Sequence, residues 1–232
     1  MNNHTPVVVI VEDEKQIRRF VRAALEEEGL QVYEAETARQ GLVEAGTRQP
    51  DIIILDLGLP DLDGVEFIRD LRNWSAIPVI VLSARSDEAN KIAALDAGAD
   101  DFLSKPFGVG ELLARVRVAL RRRDRTAGEA AAAIEFCGVH VDLVNRTVKR
   151  DQQPIHLTPI EYRLLALLVR NPGKVLTHRQ ILREVWGPSH VEHAHYLRIY
   201  MGQLRHKLEE NAAQPKCLLT EAGVGYRLVI DE

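Results

Sequence analysis

Glu12, Asp13, Asp56, Ser83 and Lys105 have the types and placement suited to chemistry on a phosphoryl group. Glu12 and Asp13 follow the apolar run VVVIV (7–11), and Asp56 follows IIIL (52–55) directly. Ser83 comes after PVIVL (78–82), while Lys105 ends DFLSK (101–105) and precedes Pro106. Three carboxylates at one edge of a sheet repel one another unless a cation lies among them. For an all-oxygen donor set the natural cation is a hard divalent ion, Mg²⁺ above all. A lysine and a hydroxyl opposite that cation complete a cradle for phosphoryl oxygens. Phosphoryl transfer asks mainly for positioning and charge neutralisation, which such a set supplies. Each residue alone has a plainer explanation. An Asp after a strand often caps a helix, Glu12 and Asp13 fit a helix start near Lys15, and a lone Lys is usually solvated. The coincidence at all the informative strand ends favours the site.

The elements that must position these residues are legible in the hydropathy. Five short apolar runs, the four above and QVYEA (31–35), alternate with amphipathic stretches such as IRRFVRAALEEE (17–28) and IRDLRNW (68–74). Three of the runs are almost purely Val, Ile and Leu, as parallel strands covered on both faces require. Alternating units of this length predict an α/β domain with right-handed crossovers. Ligands of such sheets gather at the carboxyl ends of the strands, where the candidate residues fall.

A chain of 232 residues has room for two domains, each with its own core. Hydrophobic content of 46% and charged content of 28% exclude a disordered or fibrous protein. No apolar run approaches the roughly 20 residues of a membrane span, so no membrane partner is expected. MNNHTPVVVIVEDE lacks a basic leading region and reads as a first strand rather than a signal peptide. The net charge of −4 is uneven. Residues 1–124 hold 16 Lys and Arg against 22 Asp and Glu, and residues 125–232 hold 14 against 12. Cys137 and Cys217 have no metal-ligand spacing and read as two reduced thiols of a cytoplasmic protein. Around RRRDRTAGEAAAA (121–133) the periodic pattern ends. A linker is placed at 124–133, between domains at 1–123 and 134–232; its alanines also suit a helix.

The second half offers several short strands over 134–157, then two helix-start signals. Thr158 with Pro159 and Glu161, and Thr177 with Gln180, have capping-box spacing. A third helix is predicted over about 192–210, and LLTEAGVGYRLVI (218–230) reads as a closing hairpin. Sheet, three helices and a hairpin predict an α+β winged helix-turn-helix. Projected at about 100° per residue, Leu197, Met201, Leu204 and Leu208 form one stripe, the core face, with Tyr200 at its edge. The opposite side carries His195, Arg198, Ile199, Gly202, Gln203, Arg205 and His206. Gly202 lets that surface approach a groove, and Arg, Gln and His suit base edges or phosphates. The plainer account is a solvated helix face. In the hairpin, Gly223, Gly225, Tyr226 and Arg227 suggest a tight turn that carries Arg227 into a minor groove; the plainer account is a β-turn with a surface Arg. An output half that binds RNA or protein is a second reading, but it lacks the aromatic clusters that stack single-stranded bases.

EDE (12–14), DLGLPDLDG (56–64), LSA (82–84) and KPF (105–107) resemble the receiver domain of bacterial response regulators, over residues 1–123. The resemblance implies a flavodoxin-like parallel five-stranded sheet of order 2-1-3-4-5. It implies that Asp56 accepts a phosphoryl group from a sensor histidine kinase. Asp13, Asp56 and the Gly58 carbonyl would bind Mg²⁺, with Glu12 acting through water. Lys105 and Ser83 would meet the phosphoryl oxygens, and Phe102 stands at the aromatic switch position, where Tyr is commoner. Haloacid-dehalogenase-like phosphatases also combine Asp, Ser or Thr, Lys and Mg²⁺, but want a second Asp two residues after the nucleophile; here Gly58 stands there. LTPIEYRLLALL, GKVLTHRQILREVWG and AGVGYRL resemble the output domain of the OmpR/PhoB subfamily, over about 134–230. This implies double-stranded DNA as a partner and a homodimer on phosphorylation. Lys91 with Glu111, Asp101 with Arg115, and Asp100 with Arg122 are the charges expected to pair across its two-fold. VEHAHYLRIYMGQLRHKLE (191–209), together with DLGLPDLDG, resembles most closely the branch that controls potassium-transport genes. WGPSHV (186–191) occupies the loop that contacts RNA polymerase in some relatives.

Overall fold

The computed structural model describes residues 5–84, 88–127, 133–188 and 194–230. The chain divides into two compact units, Met1–Ala127 and Gly128–Glu232. The first unit alternates β1 (Val7–Val11), α1 (Lys15–Glu27), β2 (Gln31–Ala35), α2 (Ala38–Arg48), β3 (Ile52–Asp56), α3 (Gly64–Arg72), β4 (Val79–Ala84), α4 (Glu88–Ala97), β5 (Asp101–Lys105) and α5 (Val109–Ala127). Its strands pair in parallel in the order β2-β1-β3-β4-β5. Every residue of β3 is buried, as a central strand covered on both faces demands. On one face Val8, Ile10, Ile52, Ile54, Ile80 and Leu82 pack against Val21 and Leu25 of α1 and Leu112 and Val116 of α5. Thr37 and Asp63 cap α2 and α3 by accepting from the Gln40 and Val65 backbone N–H groups. The parallel order therefore delivers the ends of β1, β3, β4 and β5 to one edge. Helix α5 continues to Ala127, past residue 124 where the linker was expected to begin.

The second unit begins with an antiparallel sheet of β6 (Ala133–Phe136), β7 (Val139–Asp142), β8 (Thr147–Arg150) and β9 (Gln153–Pro154). Helices α6 (Pro159–Arg170), α7 (His178–Trp186) and α8 (Ala194–Leu208) follow, with β10 (Val175–Thr177) between the first two. The hairpin β11 (Leu218–Glu221) and β12 (Gly225–Leu228) closes on β10 in the order β10-β12-β11. Both expected capping boxes form, Thr158 with Glu161 and Thr177 with Gln180. The core joins Leu164, Leu165 and Leu168 of α6 with Ile181 and Leu182 of α7, the α8 stripe and Leu218, Tyr226 and Leu228 of the hairpin. Residues 189–193, including part of the 186–191 loop, lie outside the described residues.

The expectation of two free thiols is overturned: Cys137 and Cys217 form a disulfide, with Cα atoms 6.4 Å apart and 80 positions between them in sequence. Cys137 sits in the β6–β7 turn and Cys217 immediately before β11. Neither local pattern nor spacing signals their meeting; the packing of the hairpin base against that turn creates it.

Candidate functional site

The ends of β1, β3 and β5 bring Glu12, Asp13, Asp56 and Lys105 together. Carboxylate oxygens of the three acids lie within 4.8 Å of one another. The Lys105 ammonium is 2.9 Å from Glu12 Oε2 and 3.0 Å from Asp56 Oδ1. Glu12 and Asp56 are buried and Asp13 is exposed. Burial pushes the Glu12 carboxyl up, aided by the neighbouring Asp56 charge, against the pull of Lys105. For Lys105 burial works against the charged form. Its bond to Glu12 and the attraction of Asp56 outweigh that, so the ammonium is held above its ordinary value. Buried Ser83 stands beside Ser104 in the β4–β5 register, one residue past the partner of Asp56. An all-oxygen donor set of three convergent carboxylates fits a hard divalent cation.

The segment after Asp56 is folded back on it. A Cβ on Gly64 would lie 2.8 Å from Leu57 Cα and 3.0 Å from the Asp56 carbonyl oxygen, so this close approach admits only glycine. Asp61 accepts from the Ala38 and Arg39 N–H groups and ties the segment to α2, while Asp63 caps α3. A Cβ on Gly58 would meet only the Asp56 carboxylate, at 3.4 Å, which places the Gly58 backbone against the pocket. Within DLGLPDLDG, Asp56 thus serves the pocket, and Asp61 and Asp63 serve the backbone. Buried Arg18, a charged residue on the inner face of amphipathic α1, is one that hydropathy gave no reason to single out.

The residues expected to pair across a dimer have partners within the chain. Arg115 Nη1 donates to both Asp101 oxygens at 3.0 and 2.9 Å, and Arg115 Nη2 lies 2.9 Å from Glu111 Oε1. Asp100 accepts from Arg72 and from the Val79 N–H. Lys91 is buried, donates to Ser104 Oγ and lies 5.3 Å from the ring centroid of half-exposed Phe102. The Arg122 side chain is outside the described residues.

In the second unit Leu197, Met201, Leu204 and Leu208 are buried, and His195, Arg198, Ile199, Gln203 and His206 are exposed. A Cβ on Gly202 would meet nothing within 4 Å. Two candidates are placed differently from expectation. Arg205 is turned to the hairpin, donating to the Leu218 carbonyl and Thr220 Oγ1 at 2.6 and 2.7 Å. Its guanidinium carbon lies 5.7 Å from the Tyr226 ring centroid. Arg227 is not at a wing tip but 7% exposed in the central strand β12, 2.7 Å from Glu221 Oε1. Strand alternation sets it on the face opposite the core residues Tyr226 and Leu228, where the pairing with Glu221 holds it, and the exposed tip is Ala222 and Gly223.

Residues 8–117 match the family of the response regulator receiver domain, and residues 152–228 match that of the C-terminal domain of transcriptional regulatory proteins. The chain belongs to the OmpR/PhoB-type response regulators and is a phosphorylation-dependent, DNA-binding transcription regulator of a two-component system. It is 64% identical over 223 residues to the KDP operon transcriptional regulatory protein KdpE of Escherichia coli, covering 96% of this chain and 99% of that one. It is 48% identical over 221 residues to the transcriptional regulatory protein KdpE of Mycobacterium tuberculosis, covering 95% and 98%. Among solved structures it is similar to the response regulator DrrB, an OmpR/PhoB homologue of Thermotoga maritima. There the TM-score is 0.51 at 28% identity, over 97% of this chain and all of that one. Among the described residues no helix is long and apolar enough to cross a membrane.

Proposed function

We propose that Asp56 is the phosphoacceptor and that residues 1–123 control, through the 124–133 segment, DNA binding by residues 134–232. The observation that carries this is the meeting of three carboxylates and one ammonium from separate strand ends at one sheet edge. Asp56 attacks the phosphorus of a kinase phosphohistidine, and the P–N bond breaks as the acyl phosphate forms. Glu12, Asp13, Asp56 and the Gly58 carbonyl would hold Mg²⁺. When bound, that ion supplies positive charge against the phosphoryl oxygens. Phosphorylation adds nearly two negative charges to an acidic pocket. Lys105, already between Glu12 and Asp56, shifts its ion pair to a phosphoryl oxygen, and Ser83 donates to another. Phe102 follows that change as the aromatic switch. The same pocket returns the domain to its unphosphorylated state by admitting water to the acyl phosphate.

Exposed His195, Arg198, Gln203 and His206 face a major groove, with Gly202 leaving room for close approach. A phosphorylation-driven homodimer uses α4, β5 and α5, where Asp101, Glu111, Arg115 and Lys91 exchange internal partners for those of a second copy, joined by Asp100 and Arg122. The 186–191 loop offers a contact to RNA polymerase. The likeness to KdpE of two organisms supports the potassium-transport operon as the target. The test is acid-labile labelling by a phosphodonor together with operator binding. Asp56→Asn should abolish both the label and the phosphodonor-stimulated gain in DNA affinity. Full labelling of that variant would refute Asp56 as the acceptor.

A further inference from the structure

Arg18 is only 6% exposed, on the inner face of α1 beside buried Val21 and Leu25. A guanidinium taken out of water destabilises the fold unless its donors are satisfied. Here Nη1 donates to the Glu12 carbonyl at 2.7 Å and to the Asp13 carbonyl at 3.1 Å. Nη2 pairs with the Glu36 carboxylate, and Nε lies 3.8 Å from Glu34 Oε2. One nitrogen therefore holds the peptide planes on both sides of the Asp13 Cα.

Because a peptide unit is planar, anchoring two consecutive carbonyls sets the dihedrals of the residue between them, and with those the direction of its Cβ. Glu12 has further restraints: its N–H donates to the Ala35 carbonyl, and its carboxylate meets Lys105 and the Glu14 N–H. The Asp13 side chain is exposed, so its aim depends on the backbone. We propose that Arg18 is a positioning residue for the cation site, fixing the aim of Asp13 before a cation binds. The proposal rests on the reading of Glu12, Asp13 and Asp56 as that site. Lysine cannot replace the planar fork, since one ammonium cannot span both carbonyls and the Glu36 carboxylate in the same geometry.

A merely structural Arg18 would tie α1 to the end of β2 and change stability alone. The experiment measures Mn²⁺ binding to the full chain by electron paramagnetic resonance, and phosphodonor labelling as a function of Mg²⁺. The variants are Arg18→Met, Arg18→Lys, Glu36→Gln and, as a control, Arg22→Met on the exposed side of the same helix. Arg18→Met should raise the Mn²⁺ dissociation constant about tenfold, as loss of a residue behind a ligand does. Its labelling should need correspondingly more Mg²⁺ yet reach the wild-type plateau. Arg18→Lys should fall between yet stay above about threefold, while Glu36→Gln and Arg22→Met should stay within about threefold of wild type. Arg18→Met that is folded and binds Mn²⁺ within about threefold of wild type overturns the proposal. If Arg18→Met does not fold, the same threshold applied to Arg18→Lys decides. Wild-type protein that binds no Mn²⁺ would instead remove the cation site itself, a separate failure.

Discussion

Replacing Gly225 by alanine tests whether the terminal hairpin sits on β10 as closely as its geometry requires. The new Cβ would overlap the Leu176 carbonyl oxygen. It would also lie 2.8 Å from the carbonyl carbon of Leu176 and 2.9 Å from Thr177 Cα. These are backbone atoms and cannot rotate aside, so β10 must retreat by at least about 1 Å, enough to carry ladder bonds out of range. Three residue pairs join the strands, from Val175 with Arg227 to Thr177 with Gly225. A backbone bond contributes about 0.5–1.5 kcal/mol net, and a buried group left without its partner costs about 1–3 kcal/mol. The expected loss is about 3–5 kcal/mol, a large part of the about 5–15 kcal/mol that holds a domain folded. Gly202→Ala is the same chemical change with the opposite sign expected. It adds a Cβ to open space inside α8, where alanine is favoured over glycine by about 0.8–1 kcal/mol. The assay is urea unfolding followed by Trp186, which lies 5.3 Å from the Tyr200 ring, in a Trp74→Phe background so that only the second unit reports. A Gly225→Ala variant within about 1 kcal/mol of its parent would refute the reasoning from close approach.

Reduction of the Cys137–Cys217 disulfide releases a loop of 80 residues and should lower the stability of the second unit by up to about 4.5 kcal/mol. Cys137→Ser should show the same midpoint with and without reductant, and an unchanged wild-type midpoint on reduction would contradict the entropic account. Burial raises the Glu161 carboxyl, but bonds from Lys207 and Thr158 outweigh it and hold the group below its ordinary value. A depressed carboxyl contributes stability that is full above its unfolded value, near 4.5, and is lost as pH falls through the folded value. The melting-temperature gap between wild type and Glu161→Gln should therefore be widest near about pH 6 and close below about pH 4.5; a gap independent of pH would count against the ion pair. Arg198→Ala or Gln203→Ala should cost about 1–3 kcal/mol in operator binding where the side chain meets a base edge. Arg227→Ala should instead lower thermal stability, because it strands Glu221. Loss of affinity confined to A·T-flanked sites, with stability intact, would restore Arg227 to the wing tip.

Local signals settled the local events. The Val- and Ile-rich runs announce parallel strands, since a strand covered on both faces has no polar side to show. Thr158 with Glu161 and Thr177 with Gln180 announce helix starts, because side chains three residues apart close that hydrogen-bond exchange unaided. The pocket was legible for a related reason. A parallel sheet sends all its strand ends to one edge, so Glu12, Asp13, Asp56 and Lys105 had to meet once the strands were recognised. Where a side chain has a choice of partners, only the tertiary structure decided. Arg205 and Arg227 look alike in sequence to DNA-facing cations, yet the closeness of the hairpin to α8 commits Arg205, and the pairing with Glu221 within the hairpin commits Arg227, to internal contacts. The disulfide joins positions 80 apart with no shared pattern. Arg18 lies among charged neighbours in an amphipathic helix, and its burial beneath the acidic turn depends on α1 packing across the end of β1. Pattern reports which face of an element is apolar. Which polar group that face encloses depends on what packs against it, because a long side chain reaches a partner that only the fold brings near.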